Sequence, residues 1–338
     1  MRIAVDAMGG DHAPRQVVEG AVAAARRLRC GLTLVGAARE VEREVARAGG
    51  GSDADLRIVD APDVIEMGDV PIAALRRKPR SSVKVAAELV ARGEADGFVT
   101  AGNTGAAVMV AHGAFGMLRA VDRPALATTI PTLTGIAVLA DSGANLGCRA
   151  PHLVQFAAMG ACYARIAHGI REPRVALLSI GEEATKGSEL TREAHQLLKT
   201  TRLGFIGNVD ARDVYGGKAD VIVCDGITGN VALKVSESLV EAMEQLLRQE
   251  VSRTIGGRLG YLFARRSFRR LRRRLDYSEQ GGAPLLGVGG LCIVGHGRSS
   301  PKAMRNAVAM TYRLARQDFI AALQQDLDAI AVSSVATS

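Results

Sequence analysis

The chain has 338 residues, 48% of them hydrophobic and 4% aromatic, with no Trp and a net charge of +8. This length fits one large domain or two ordinary ones, and the apolar share can build a sizeable core of Val, Ile, Leu and Ala, which excludes a disordered chain. No apolar stretch reaches the ~18 residues that cross a bilayer, and Met1-Arg2-Ile3-Ala4-Val5-Asp6 lacks the apolar region of a secretion signal, so a cytosolic protein is expected.

In chain order, short apolar runs alternate with amphipathic stretches. The pattern predicts a strand over Ile3–Asp6, a helix over Pro14–Leu28, a strand over Gly31–Gly36, a helix over Ala37–Ala48 and a strand over Leu56–Asp60. Pro14 suits a helix start, where a missing N–H costs nothing. A helix follows over Val83–Arg92, with Ser81-Ser82 as its cap and Gly93 as its stop. Phe98–Thr100 predicts a strand and Thr104–Leu118 a helix. Leu126–Ile130 and Gly135–Ala140, joined by Pro131-Thr132-Leu133-Thr134, predict a strand pair around a tight turn.

The second half continues with a helix over His152–His168, a strand over Val175–Ile180, a helix over Ser188–Thr200, a strand over Val221–Cys224 and a helix over Asn230–Glu250. Gly256-Gly257 and Gly260 predict a break before another helix, Tyr261–Leu275. Leu291–Val294 predicts a strand, Pro301–Leu323 a helix, and the small polar tail Ala331–Ser338 is expected to fray. Alternation from end to end predicts a three-layer α/β/α fold over residues 1–338 as one domain, with a mostly parallel sheet. Strand order is not contained in this pattern.

Six of the apolar runs end in Gly-rich, small polar turns: Met8–His12, Gly102–Gly105, Asp141–Asn145, Gly181–Glu183, Asp225–Asn230 and Gly295–Gly297. In a parallel sheet such turns gather at the carboxyl ends of the strands, where helix N-termini with free N–H groups favour anions, phosphate above all. A small anionic substrate held largely by backbone is the expectation.

Standard cofactor motifs are missing. Gly287-Val288-Gly289-Gly290-Leu291-Cys292 lacks the last glycine of a dinucleotide fingerprint and precedes a strand. Gly181–Ser188 resembles a phosphate-binding loop but has Lys186 before Gly187 and two acids, Glu182 and Glu183, where phosphate would lie. There is no Gly-x-Ser-x-Gly elbow and no metal-ligand spacing. Cys30, Cys148, Cys162, Cys224 and Cys292 are far apart and read as small buried hydrophobes. The expected chemistry uses no cofactor, no metal and no acyl-enzyme.

Several blocks then carry a likeness that runs from residue 1 to about residue 310. These are Met8-Gly9-Gly10-Asp11-His12-Ala13-Pro14, Ala101-Gly102-Asn103-Thr104-Gly105-Ala106 and His152-Leu153-Val154-Gln155-Phe156-Ala157. Ile180-Gly181-Glu182-Glu183 with Lys186-Gly187, Phe205-Ile206-Gly207-Asn208-Val209 and Cys224-Asp225-Gly226-Ile227-Thr228-Gly229-Asn230-Val231 continue it. Gly281–Gly287 and His296-Gly297-x-Ser299 complete the set, which resembles the bacterial phosphate acyltransferases of phospholipid synthesis. The resemblance implies transfer of a long-chain acyl group from acyl carrier protein to inorganic phosphate, giving an acyl phosphate. It implies a Rossmann-like fold related to phosphotransacetylases and isocitrate dehydrogenase-type enzymes, and a homodimer. It also implies a cytoplasmic protein peripherally attached to the inner face of the cell membrane, whose product passes to a membrane glycerol-3-phosphate acyltransferase. Gly147, Gln280, Arg298 and Pro301 depart from the usual residues of these blocks.

Phosphate is already a nucleophile, so such an enzyme must align it with the thioester carbonyl, stabilise the oxyanion and help the thiol leave. Lys186 and His296 are the expected catalytic residues: an anion contact and a donor to sulfur or oxyanion, against a solvated lysine and a histidine satisfied by a carbonyl. Asp6, His12, Asn103, Thr104, Asn145 and Asn230 are expected around phosphate, with ordinary capping as the other reading for the asparagines and Thr104. The resemblance adds Asp225 and Ser299. Glu182 and Glu183 are expected to orient Lys186 or a backbone turn.

Between Arg248 and Asp276 stand ten arginines against two acids, so the rest of the chain is neutral on balance. Val251, Ile255, Leu259, Leu262, Phe263, Phe268, Leu271 and Leu275 interleave with them, making residues 248–278 a basic amphipathic helical arm. Arg265, Arg266, Arg269, Arg270, Arg272 and Arg273 are expected to meet an acidic carrier protein or anionic lipid. A hairpin packed on a dimer partner is the third reading. A nucleic-acid footprint is not expected, because the arm has few aromatics for base stacking.

Overall fold

Runs of small and β-branched residues form strands that are covered on both faces, as parallel pairing requires. The computed structural model describes residues 1–50 and 55–335. The first half holds β1 (Arg2–Asp6), α1 (Arg15–Leu28), β2 (Gly31–Gly36), α2 (Ala38–Arg47), β3 (Leu56–Asp60), α3 (Pro71–Arg77), α4 (Ser82–Ala91), β4 (Gly97–Thr100) and α5 (Thr104–Phe115). Next come β5 (Ala125–Pro131), β6 (Ile136–Ala140), α6 (Ala150–His168), β7 (Val175–Leu178), α7 (Glu189–Lys199), β8 (Phe205–Val209) and β9 (Val221–Val223). The chain closes with α8 (Gly226–Arg253), α9 (Ile255–Leu275), β10 (Ala283–Leu286), β11 (Cys292–Val294), α10 (Pro301–Arg316) and α11 (Phe319–Val335).

The strands form one sheet of eleven in the order β3-β2-β1-β4-β11-β10-β5-β6-β9-β7-β8. The first five are mutually parallel, and so are the last four. Between them β10 is antiparallel to both β11 and β5, and β5 to β6. The sheet is therefore two parallel halves of opposite polarity. Ile3 and Val5 of β1 face the core shared with α1, α6 and α10, while Ala4 faces the one shared with α4 and α5. The other face of the second half packs Leu139 and Ile222 beneath Val214 and Leu233 of α8. This is the expected three-layer, mostly parallel α/β/α arrangement.

Polarity overturns one expectation. The six turns do not share a rim: those after β1, β4 and β11 end one half, and those after β6, β7 and β9 end the other. Register brings the two rims close nonetheless. Ala283 pairs with Val294, Leu286 with Ala125, and Ala127 with Ala140. Ala140 thus stands about one residue, ~3.4 Å, from the level of Val294, with the two carboxyl edges facing opposite ways.

Other boundaries moved for local reasons. The helix expected from Asn230 begins at Gly226, because Asp225 caps it by accepting the Thr228 N–H. The arm breaks at Thr254, whose hydroxyl accepts the Gly257 N–H at 2.9 Å, so the glycine pair forms the first turn of α9. The helix expected over Pro301–Leu323 is split where Asp318 takes a left-handed φ of 49°. Ser81 occupies the cap position of α4 without a side-chain cap bond. Strand β7 stops at Leu178, and Ile180 lies exposed in the following turn. β8 and β10 were hidden in the sequence by Gly207-Asn208 and by Pro284, which argue against strands. Helix α11 continues through Val335, past the start of the tail expected to fray, and residues 336–338 lie outside the described residues.

Candidate active site

The chain passes from β1 to β2 and β3 on one side and then to β4 on the other, which makes the β1/β4 edge a switch point. Ligands of open α/β sheets bind outside the carboxyl ends of strands at such points. Helices α1, α5 and α10 all start there.

A buried polar frame holds the turns. Asp6, 2% exposed, accepts the Thr100 hydroxyl at 2.6 Å and the Met8 N–H at 3.3 Å. Burial raises its pKa, and hydrogen bonds from Ser82, Thr100 and the Met8–Gly9 backbone oppose that shift. The Asp11 N–H donates to the Gly297 carbonyl at 2.8 Å, joining the first and last turns, and the Gly295 N–H donates to the Thr100 carbonyl at 2.7 Å, joining the last turn to the end of β4. Gly10 sits between them at φ 110°, where a side chain would be strained. His12 is exposed at the head of this turn.

Asn103 is the N-cap of α5: its Oδ1 accepts the Ala106 N–H at 3.1 Å. Its amide NH2 donates to the carbonyls of Glu66, Met67 and Asp69 at 3.1–3.3 Å, pinning the loop that precedes α3. Thr104 opens the helix, half-buried. Beside them lies a cleft of about 490 Å³ lined by Met8, Asp11, Glu40, Glu66 and Met67. Ser299 is buried next to Gly295, and its hydroxyl has no hydrogen-bond partner among the described residues.

At the second rim, Asp141 is buried and accepts five N–H donors: the backbones of Leu126, Gly143, Ala144 and Asn145, and the Asn145 amide, at 2.8–3.1 Å. Asn145 also donates to Pro124 at 2.7 Å, so its amide serves the frame, and it caps no helix. The Asp225 carboxylate accepts both the N–H and the hydroxyl of Thr228, at 2.9 and 2.7 Å. A β-carbon at Gly229 would collide with the Asp141 carbonyl and one at Gly226 with the Asn145 carbonyl, which is why α8 can start against this turn. Asn230 is exposed beside Gly143. Cys224 is buried, and burial raises its thiol far out of reach of ionisation. Burial likewise pushes the Cys148 thiol up to about 11 and that of Cys162 to about 12.

Lys186 lies in the loop after β7, its ammonium 2.8 Å from Glu183. The Asn208 amide of β8 donates to the Glu183 carbonyl at 3.1 Å and holds that loop. Glu183 thus has the orienting place expected of it, whereas Glu182 pairs with Lys218 at 3.0 Å.

The two rims are joined by residues the sequence reading missed. Helix α8 leaves the second rim and reaches the turn after β11, where Lys234 Nζ is 2.7 Å from His296 Nε2. Glu237 lies 3.1 Å from Lys234 and 3.5 Å from His296. Burial raises the Glu237 pKa, but hydrogen bonds from His296 and Lys234 outweigh it and hold the carboxyl below its usual range. Arg298 reaches Glu241 at 3.1 Å, one turn further along. The signal was present: once α8 starts at Gly226, Asn230, Lys234, Glu237 and Glu241 fall at 4-3-4 spacing on one face. With the start placed at Asn230 and the turns on one rim, nothing pointed that face at His296.

Strand order, helical layers and a rim of helix N-termini define an α/β/α fold shared with phosphotransacetylases. A phosphotransacetylase from Streptococcus pyogenes superposes with a TM-score of 0.63 at 18% identity, over 94% of each chain, a likeness of fold. The chain belongs to the fatty acid synthesis protein family, whose model matches residues 1–322. It is 46% identical over 97% of its length to a Phosphate acyltransferase of Heliobacterium modesticaldum, covering 98% of that protein. It is 45% identical over 97% of its length to one of Pelotomaculum thermopropionicum, covering 94%. It is an acyltransferase of lipid synthesis.

Proposed function

We propose that the enzyme moves a long-chain fatty acyl group from the thioester of acyl carrier protein to inorganic phosphate, releasing acyl phosphate and the free carrier. The near-full-length correspondence with relatives named Phosphate acyltransferase carries this reading. The rim geometry supports it. Helix N-termini of α5 and α10 suit an anion, Thr104 and Ser299 place hydroxyls near those turns, and Asn230 places an amide beside Gly143 at the second rim. His296 and Lys186 supply nitrogen donors for oxyanion, phosphate or sulfur. Asp6, Asn103, Asn145 and Asp225 act through the turns they hold, and His12 stands at the entrance.

The carrier, which is acidic, docks on the arginine face of α9: Arg265, Arg266, Arg269, Arg270, Arg272 and Arg273. Among the described residues no helix is long and apolar enough to cross a membrane. Attachment to the inner membrane face is by the hairpin, with Ile255 exposed at its tip and Phe263, 87% exposed among arginines, further along α9. There the product is handed to a membrane glycerol-3-phosphate acyltransferase. The enzyme works as a homodimer.

The test is to mix purified enzyme with palmitoyl-acyl carrier protein and phosphate, trapping acyl phosphate with hydroxylamine. Phosphate-dependent product is expected. Product from acyl-coenzyme A alone would overturn the carrier assignment, and no product from either would overturn the reaction.

A further inference from the structure

His296, Lys234 and Glu237 form a cluster that phosphate binding alone does not explain. The Nδ1 of His296 accepts the Arg298 N–H at 3.1 Å, which fixes the ring and turns Nε2 toward α8. There it meets Lys234 Nζ at 2.7 Å, a separation that holds one proton between two nitrogens. Glu237, 12% exposed, faces both, while Lys234 is 51% exposed and His296 21%. Thus a half-buried carboxylate backs two hydrogen-bonded nitrogens that open toward the rim.

Resting on the proposed reaction, the chemistry asks for such a pair. Hydrogen phosphate attacks the thioester carbonyl, a C–O bond forms, the C–S bond breaks, and sulfur leaves with the electron pair. The product acyl phosphate has lost the proton that hydrogen phosphate brought, and the thiol has gained one. One proton must therefore travel from attacking oxygen to leaving sulfur, and no proton is consumed overall. We propose that Lys234 and His296 are a proton relay for this transfer, Nε2 of His296 taking the phosphate proton as it passes its own to an uncharged Nζ of Lys234 and Nζ releases one proton to sulfur, and that Glu237 is the positioning residue that holds them together.

The test compares Lys234→Ala, Glu237→Gln and Glu237→Asp with the parent enzyme, using two palmitoyl donors at saturating phosphate: an alkyl thioester of the carrier type and an aryl thioester whose thiolate leaves unaided. Proton transfer by a positioned group contributes roughly 10²–10⁴-fold. Lys234→Ala is expected to lose about 100-fold or more in kcat on the alkyl thioester, less than about 10-fold on the aryl thioester, with the KM for phosphate little changed. Glu237→Gln is expected to follow the same donor dependence with a smaller loss, and Glu237→Asp to recover part of it. Activity on the aryl thioester doubles as the check that each variant is folded. Equal losses on both donors, or a raised phosphate KM with kcat intact, would overturn the relay and make Lys234 an anion contact. If the parent enzyme works only on coenzyme A thioesters, the carrier reading fails while the same comparison still judges the relay. A parent enzyme with no phosphate-dependent turnover on any thioester overturns both.

Discussion

At the end of α6 the imidazole of His168 stands edge-on to Tyr163, with ring centroids 5.2 Å apart and Nε2 3.0 Å from the Thr129 hydroxyl. Burial, and then the charge of Arg313, lower its pKa to about 4, against ~6.5 in an unfolded chain. Between those values the unfolded chain binds a proton that the folded chain refuses. Stability therefore falls as pH drops from about 6.5 to about 4, by up to about 3 kcal/mol. His168→Gln is expected to flatten that slope, seen as a smaller loss in urea midpoint between pH 7 and pH 4.5. An unchanged slope would place the group elsewhere. Asp6 and Asp141, both raised by burial, titrate alike in the two proteins and drop out of the difference. These residues also show what a chain of letters conceals. That Asn103, Asn145 and Asp225 stand in turns is legible from Gly-rich punctuation. Asp225 engages Thr228 three residues on, a local cap, whereas the engagement of Asn103 by Met67 and of Asn145 by Pro124 follows from loops meeting in space, with partners 36 and 21 positions away.

Among the elements, α8 carries the most information per residue. Its first turn is fitted to the Asp141–Asn145 turn, its polar row faces His296, and a third row, Ile227, Val231, Val235, Leu239, Met243 and Leu246, lies exposed along its length. A row recurring every three or four residues is a helix face made to be covered. On the proposed homodimer, this is the face that meets the second subunit. Leu239→Asp combined with Met243→Asp removes side chains worth about 1.5–3 kcal/mol each when buried. The dimer dissociation constant should then rise at least ~100-fold, leaving monomer in light scattering at micromolar protein. Dimer of unchanged affinity would exclude this face. The amphipathic arm was readable because arginine and leucine alternate at helical spacing; its hinge at Thr254 was not, because capping by one hydroxyl outweighs the weak helix propensity of two glycines in a first turn.

For the molecule as a whole, the charge is placed as unevenly as the sequence suggests. Helix α9 buries none of its residues, so its arginines can be changed without touching a core. Replacing Arg269, Arg270, Arg272 and Arg273 with Gln removes roughly 1 kcal/mol of attraction each at an anionic surface. Co-sedimentation with phosphatidylglycerol vesicles, and binding to the carrier, should weaken by tenfold or more at low salt, with the melting temperature unchanged. Binding retained to both would leave the arm as a structural hairpin. The layer order of the fold was legible from alternation, whereas the reversal of polarity at β10 and β5 was not. That reversal depends on three antiparallel junctions, β11 with β10, β10 with β5 and β5 with β6; the last was readable as a strand pair around a turn, but periodicity carries no record of where the proline-bearing β10 inserts.

The same return of the chain sets an order of events during synthesis. Strand β11 lies beside β4, and α10 lies so close on α1 that a β-carbon at Gly20 would come within 2.7 Å of Met304. As the chain emerges from the ribosome, its first hundred residues have strands to pair but neither their last parallel neighbour nor the helix that covers α1. The strands of the second half, β6 to β9, are all made by Val223, while the first half still waits for residues beyond 300. The rim where phosphate is proposed to bind thus waits for β11 and α10, and a nascent chain cannot present it until residues beyond 300 have been made.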